Sequence, residues 1–158
     1  MKKDPKKERA KNVSGSANVF YNEEVKITGN RYTSKDFMEK ELKKLWPKVW
    51  NIGGWSRELQ KEGDFITHNI GRESILIVKE KNNKIKAFHN VCPHRGNRLI
   101  HVDSGFVKDF TCTYHGWKFN YSGDLIYAQD EDDFPQGNPC GKVKLSEIPC
   151  EEYGGFIW

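Results

Sequence analysis

The spacing of hydrophobic positions changes character once along this chain. Met38, Leu42, Leu45, Trp46 and Val49 recur at intervals of three and four, the signature of one helical face, and predict a helix over 33–46. Thr33 followed by Asp36 resembles a capping box, and Pro47 disfavours helix in the residue before it. Beyond that point the pattern becomes short β segments bounded by turn residues: Val49–Ile52, Asp64–Ile70, Ser74–Lys79, Lys84–His89, Phe106–Thr111, Trp117–Asn120, Asp124–Ala128, Val143–Ser146 and Phe156–Trp158. Lys81-Asn82-Asn83-Lys84 reads as a hairpin turn because Asn tolerates positive φ, and Tyr121-Ser122-Gly123-Asp124 reads as another. Asp130–Asp133, followed by Pro135, Gly137, Pro139 and Gly141, reads as a loop. Upstream, residues 1–18 are polar and aperiodic and read as disordered; 19–32 read as a short extended segment. The fold class is mainly β, a small antiparallel domain with one leading α-helix.

Composition narrows the function. The 158 residues are 36% hydrophobic and 30% charged, which suits one domain plus chain that stays outside a core. Six of the 26 basic and two of the 22 acidic side chains fall within residues 1–11, so that leader carries the whole net charge of +4 and the remainder is balanced. A neutral body argues against nucleic-acid binding, which places basic excess on folded surface. No apolar run nears the roughly 20 residues of a membrane span, and the basic start is not followed by the apolar stretch of a secretory signal. The expected compartment is therefore the cytoplasm. Four cysteines are too few for a disulfide scaffold, and in a reducing compartment Cys close to His reads first as a metal site.

Cys92-Pro93-His94-Arg95-Gly96 and Cys112-Thr113-Tyr114-His115-Gly116-Trp117 supply that proximity. Each half offers one thiolate and one imidazole from a Gly-containing loop that follows a β segment, so two fingertips can present four ligands to one site. Three readings compete: four unrelated turn residues, a Cys₂His₂ zinc site, and a Rieske [2Fe–2S] cluster. Zinc fingers usually pair Cys with Cys and His with His. In a Rieske centre two Cys hold one iron and two His the other, and the order C-x-H … C-x-x-H suits that asymmetry. Cys92 and Cys112 would hold the inner iron, His94 and His115 the outer.

At these residues the sequence resembles the Rieske-type non-haem iron oxygenases, the aromatic ring-hydroxylating family, in the N-terminal Rieske domain of their large (α) subunit. Leu45-Trp46, Gly63-Asp64-Phe65, Asn90-Val91 and Gly154-Gly155-Phe156-Ile157-Trp158 extend the resemblance over about 27–158; the leader 1–26 stands outside it. The resemblance implies a two-loop cluster-binding subdomain and a ferredoxin or flavin reductase as electron donor. It also implies a mononuclear Fe(II) that activates O₂ to hydroxylate an organic substrate. That second iron, and the carboxylate linking it to the cluster, belong to a C-terminal catalytic domain expected after residue 158. The apolar ending at Trp158 reads as the edge of a fragment, so this stretch alone is expected to bind the cluster and carry electrons but not to hydroxylate, and no residue in it is assigned a catalytic role. Its partners would be that catalytic domain and neighbouring subunits of an oligomer, with no nucleic acid and no membrane. A free-standing Rieske ferredoxin is the alternative, disfavoured by the leading helix. The respiratory type of Rieske protein has extra loop cysteines and a hydrogen-bonding Ser where this chain has Pro93, Arg95, Thr113, Tyr114 and Trp117. Fewer donors to the cluster predict a midpoint in the lower part of the range of about −150 to +300 mV.

Arg95 reads either as an offset to cluster charge or as a surface residue, and Trp117 as packing that shields the cluster. Cys140 and Cys150 read as structural or free thiols. His68, His89 and His101 read as ordinary. The acidic loop 130–133 reads as solvated, with a basic reductase as its alternative neighbour.

Overall fold

A computed structural model describes residues 28–158; the leader 1–26 lies outside the described residues. The chain divides into two compact units, with the boundary in the sequence between Lys43 and Lys44. In the first, a helical turn α1 (Asn30–Thr33) precedes helix α2 (Lys35–Lys44). The expected extended conformation therefore fails over 30–32. The helix also starts two residues later than its periodicity suggests. Thr33 is spent in α1, where its hydroxyl donates to the Gly29 carbonyl at 3.3 Å. Ser34, in extended backbone, resets the chain and caps α2 by accepting from the Phe37 N–H at 3.3 Å. Pro47 lies in a short 3₁₀ turn, Trp46–Lys48.

The second unit holds three antiparallel sheets. Strands β1 (Gly54–Trp55), β10 (Glu152–Tyr153) and β11 (Phe156–Ile157) form one, in the order β1-β11-β10. The central sheet contains β2 (Asp64–Ile70), β3 (Glu73–Lys79), β4 (Ile85–His89), β5 (Ser104–Phe106) and β9 (Glu147–Ile148), ordered β5-β2-β3-β4-β9. The third is β6 (Phe110–Thr111), β7 (Lys118–Phe119) and β8 (Leu125–Tyr127) in sequence order.

Four strand expectations shift. Residues 49–52 form no strand, because the Asn51 amide donates to the Trp46 and Val49 carbonyls at 3.1 and 2.9 Å and folds them into a turn. Phe106–Thr111 divides between two sheets, since Val107 leaves β5 to donate its N–H to Gly63 at 3.1 Å. Residues 143–146 run beside β8 through single bonds, with Leu125 N–H donating to Val143 and Leu145 N–H to Gly123, and make an isolated bridge, not a ladder. The ending at 156–158 is a strand only over Phe156–Ile157, paired with the unforeseen β10 across Gly154-Gly155. The turn at 81–84 is as expected: Asn82 and Asn83 both have positive φ, 60° and 61°.

Burial explains the central sheet. Side chains alternate between faces along a strand, and in β3 both sets are apolar: Leu76 and Val78 join Phe65 and Phe88 on one face, Ile75 and Ile77 join Ile66 and Ala87 on the other. The first face shares a core with Phe110, Phe119, Leu125, Cys92 and Cys112, so the sheet is the floor of the two-loop subdomain. The second face is covered by Leu59 and Ile157. Phe88 is fully buried at this junction. Phe88→Ala is expected to cost about 3–5 kcal/mol of unfolding free energy, measured by urea denaturation of the full chain.

Candidate metal centre

The two Cys–His motifs fold into loops with the same wiring. In the first, Cys92 N–H donates to the Asn97 carbonyl at 2.7 Å and Gly96 N–H to the Cys92 carbonyl at 2.9 Å. In the second, Cys112 N–H donates to Trp117 at 2.8 Å and Gly116 N–H to Cys112 at 3.0 Å. Val91 bridges Arg98 across the base of the first, and Thr111 pairs with Lys118 across the second. Gly96 and Gly116 sit at φ 71° and 69°, the left-handed conformation that closes each turn and that other residues adopt at a cost of roughly 1–2 kcal/mol. In both, the backbone N–H groups two and three residues after the Cys point at its sulfur: His94 and Arg95 at Cys92, Tyr114 and His115 at Cys112.

The structure sets the Cys92 and Cys112 thiols beside each other, and the His94 and His115 imidazoles beside each other. The thiols are 1% and 2% exposed and interact with each other. Burial pushes the Cys92 thiol up to about 11 against the pull of its loop N–H groups, and the neighbouring Cys112 adds to the rise. Burial also opposes ionisation of Cys112, but donors from Tyr114, Cys92, His115 and Asn97 outweigh it and bring this thiol down. Of the pair, Cys112 has the surroundings that favour ionisation, and Cys92 those that oppose it. The imidazoles lie beside each other, centroids 4.6 Å apart at 67°. His94 stacks on Trp117 at 4.6 Å and 4°, and His115 lies 3.8 Å from the exposed Tyr114 ring. Burial, then the charges of His115 and Arg95, hold His94 below the usual imidazole range.

One observation sets these histidines apart. His94 Nδ1 and His115 Nδ1 are buried and have no hydrogen-bond partner among the described residues. A buried polar nitrogen left unpaired costs about 1–3 kcal/mol. Two such atoms on adjacent rings, beside two adjacent thiols, make a donor set directed at something other than protein. The chemistry of this donor set, two thiols and two imidazoles, fits an iron–sulfur group that would take two donors of each kind.

Sequence reasoning named Asn90 only within the resemblance and gave it no role. It is 2% exposed, the one buried polar residue among the described ones. Its amide donates to the Ile100 carbonyl at 2.8 Å and the Ser74 hydroxyl at 3.2 Å, and its Oδ1 accepts from Ile100 N–H at 2.9 Å. It thus ties the outgoing end of the first loop to β3. An Asn two residues before a loop Cys is the only available signal. The remaining candidates stay apart. His89 pairs with Glu73 at 3.4 Å on β4, His68 is on β2 opposite Ile75, and His101 is exposed. Cys140 contacts Glu131, and Cys150 packs in the other core, where burial pushes its thiol up to about 11. Arg95 is exposed. Asp130 and Asp133 of the acidic loop line a groove with His94, His115, Trp117 and Phe134.

Comparison with known proteins agrees with this geometry. The family described as the Rieske [2Fe–2S] domain matches residues 49–145. Biphenyl 2,3-dioxygenase subunit alpha of Rhodococcus jostii (strain RHA1) is 37% identical over 105 residues, 66% of this chain and 23% of that protein. The carnitine monooxygenase oxygenase subunit of Escherichia coli (strain K12) is 33% identical over 132 residues, 84% of this chain and 35% of that protein. Among solved structures, the apo form of a quaternary ammonium Rieske monooxygenase superposes with a TM-score of 0.74 at 33% identity, covering 81% of this chain and 37% of the other. A naphthalene 1,2-dioxygenase variant gives 0.73 at 31% identity, covering 80% and 29%. The chain belongs to the Rieske [2Fe–2S] domain family, and it is similar to the part of oxygenase α subunits that carries that domain. It spans about a quarter to a third of the length of these relatives.

Asn90→Ala removes both partners of Ile100 and is expected to cost about 2 kcal/mol or more. Hydrogen exchange at Cys92 N–H and Gly96 N–H should accelerate, while exchange at Gly116 N–H should not.

Proposed function

We propose that Cys92 and Cys112 hold the inner iron and His94 and His115 the outer iron of a Rieske [2Fe–2S] cluster, through Sγ and Nδ1. The observation that carries this reading is the pair of buried, unpartnered Nδ1 atoms next to two buried thiols. A bound cluster of this type supplies reversible one-electron transfer at nearly fixed geometry. The chain's own residues do the rest. The loop N–H groups direct their dipoles at the two sulfurs and favour the thiolates that metal binding requires. Trp117 excludes water from the His94 side by stacking on it. The deep position of the sulfurs and the groove beside the imidazoles make the histidine edge the side for electron exchange.

The wider role is electron transfer within a Rieske oxygenase that uses O₂ and reducing equivalents to hydroxylate an organic, aromatic or similar, substrate. Biphenyl and benzene dioxygenase α subunits and a carnitine monooxygenase subunit support it by their similarity. On this reading residues 27–158 form the Rieske domain, and a ferredoxin or flavin reductase donates the electrons. The mononuclear Fe(II) sits on a catalytic domain of the longer protein, which works in the cytoplasm as an oligomer. Among the described residues no helix is long and apolar enough to cross a membrane. The loops also lack the Ser donor noted in the sequence, which supports a midpoint in the lower part of the Rieske range.

The test is anaerobic purification of the full chain followed by metal and sulfide analysis and electron paramagnetic resonance after reduction. About two irons and two acid-labile sulfides per chain are expected, with the signal lost in His94→Ala and Cys112→Ser. A colourless protein with zinc and no sulfide, or a spectrum unchanged by either substitution, would overturn the assignment; a clearly positive midpoint would overturn the low-potential reading alone.

A further inference from the structure

The repeated wiring of the two loops is broken at one kind of position. The residue five places after each Cys uses its backbone carbonyl within its own loop and sends its side chain to the other. From the second loop, Trp117 stacks on His94. From the first, Asn97 reaches Cys112 Sγ at 3.7 Å and Thr113 Oγ1 at 3.4 Å, while donating to the Arg98 carbonyl at 2.9 Å. The Arg98 contact fixes which end of the amide faces inward, since a carbonyl can only accept. Nδ2 has two hydrogens. One goes to Arg98, which leaves the other for Cys112 Sγ and Thr113 Oγ1 to share.

We propose that Asn97 is a positioning residue that donates a cross-loop hydrogen bond to the Cys112 thiolate and thereby raises the reduction potential of the bound cluster, with Thr113 competing for the same hydrogen. This rests on the ligand assignment above. Reduction adds one electron to a centre whose thiolates are already negative, and a donor at Sγ offsets part of that added charge. The backbone donors are matched between the loops, two on each sulfur, so Asn97 makes Cys112 the more heavily hydrogen-bonded of the pair. Asn97 is only half-buried, and its fold-maintaining bond to Cys92 N–H comes from its backbone. Its side chain can therefore be changed without dismantling the loop.

The experiment is a mediated redox titration of the full chain loaded with iron and sulfide, compared with Asn97→Ala, Asn97→Asp and Thr113→Ala. Asn97→Ala is expected to lower the midpoint. Asn97→Asp should lower it further, because it replaces a donor with a carboxylate. Thr113→Ala should raise it, because the shared hydrogen passes wholly to Sγ. A purely structural role for Asn97 would not produce opposite signs at the two positions. Parent and variant midpoints that coincide in loaded proteins overturn the role of Asn97 and leave the ligand assignment intact. That role is likewise overturned if both Asn97 variants fail to load while Thr113→Ala loads normally, because Asn97 is then scaffold. A parent chain that binds no iron and sulfide overturns both.

Discussion

The fold is organised around a deficit. Two loops satisfy their own backbone groups by the same bonds, point spare N–H groups at their sulfurs, and leave two imidazole nitrogens buried with no protein partner among the described residues. A protein interior rarely tolerates such atoms, because desolvation is not repaid. Here the same arrangement is made twice and set face to face, so the deficit is a property of the design. The chemistry of the thiols and imidazoles suits an iron–sulfur group.

Holding that deficit open requires a rigid base. The central sheet provides it by being apolar on both faces, so β3 cannot slip by one residue without exchanging one buried set for the other. Phe65, Leu76, Val78 and Phe88 press directly on the core that contains Cys92 and Cys112. Asn90 then couples sheet and loop through polar bonds at the one place where an apolar contact could not fix the direction of the backbone. Packing sets where the loops are, and hydrogen bonds set how they are turned.

Much of this is legible in the chain itself, and the limits have physical causes. β2 is legible residue for residue, because Asp64–Ile70 is a half-buried strand bounded by Gly63 and Gly71. The two Cys–His motifs are legible because metal chemistry demands particular side chains at close spacing. Phe106–Thr111 is not, because its alternation is continuous while its partners are not: one end pairs with β2, the other with β7. Periodicity misplaces the cap of α2 by one residue because Thr33 and Ser34 are chemically equivalent caps, and only the preceding helical turn decides between them. Asn97 is invisible for a related reason. An Asn after a loop Gly reads as turn chemistry, and its reach to Cys112 depends on a loop 15 residues away.

The two sides of the centre differ in kind, and that difference gives the site a direction. The sulfur side is closed, with nearly all its contacts polar donors or core carbon. The imidazole side is bounded by aromatic faces, one buried and one 59% exposed, and opens into a groove rimmed by Asp130 and Asp133. On the proposed ligand assignment, charge added on reduction would be stabilised from the closed side by fixed dipoles, and the open side would provide close approach with few fixed donors. A centre built this way keeps its potential under the control of its own chain and leaves its exchange partner to be chosen by surface chemistry.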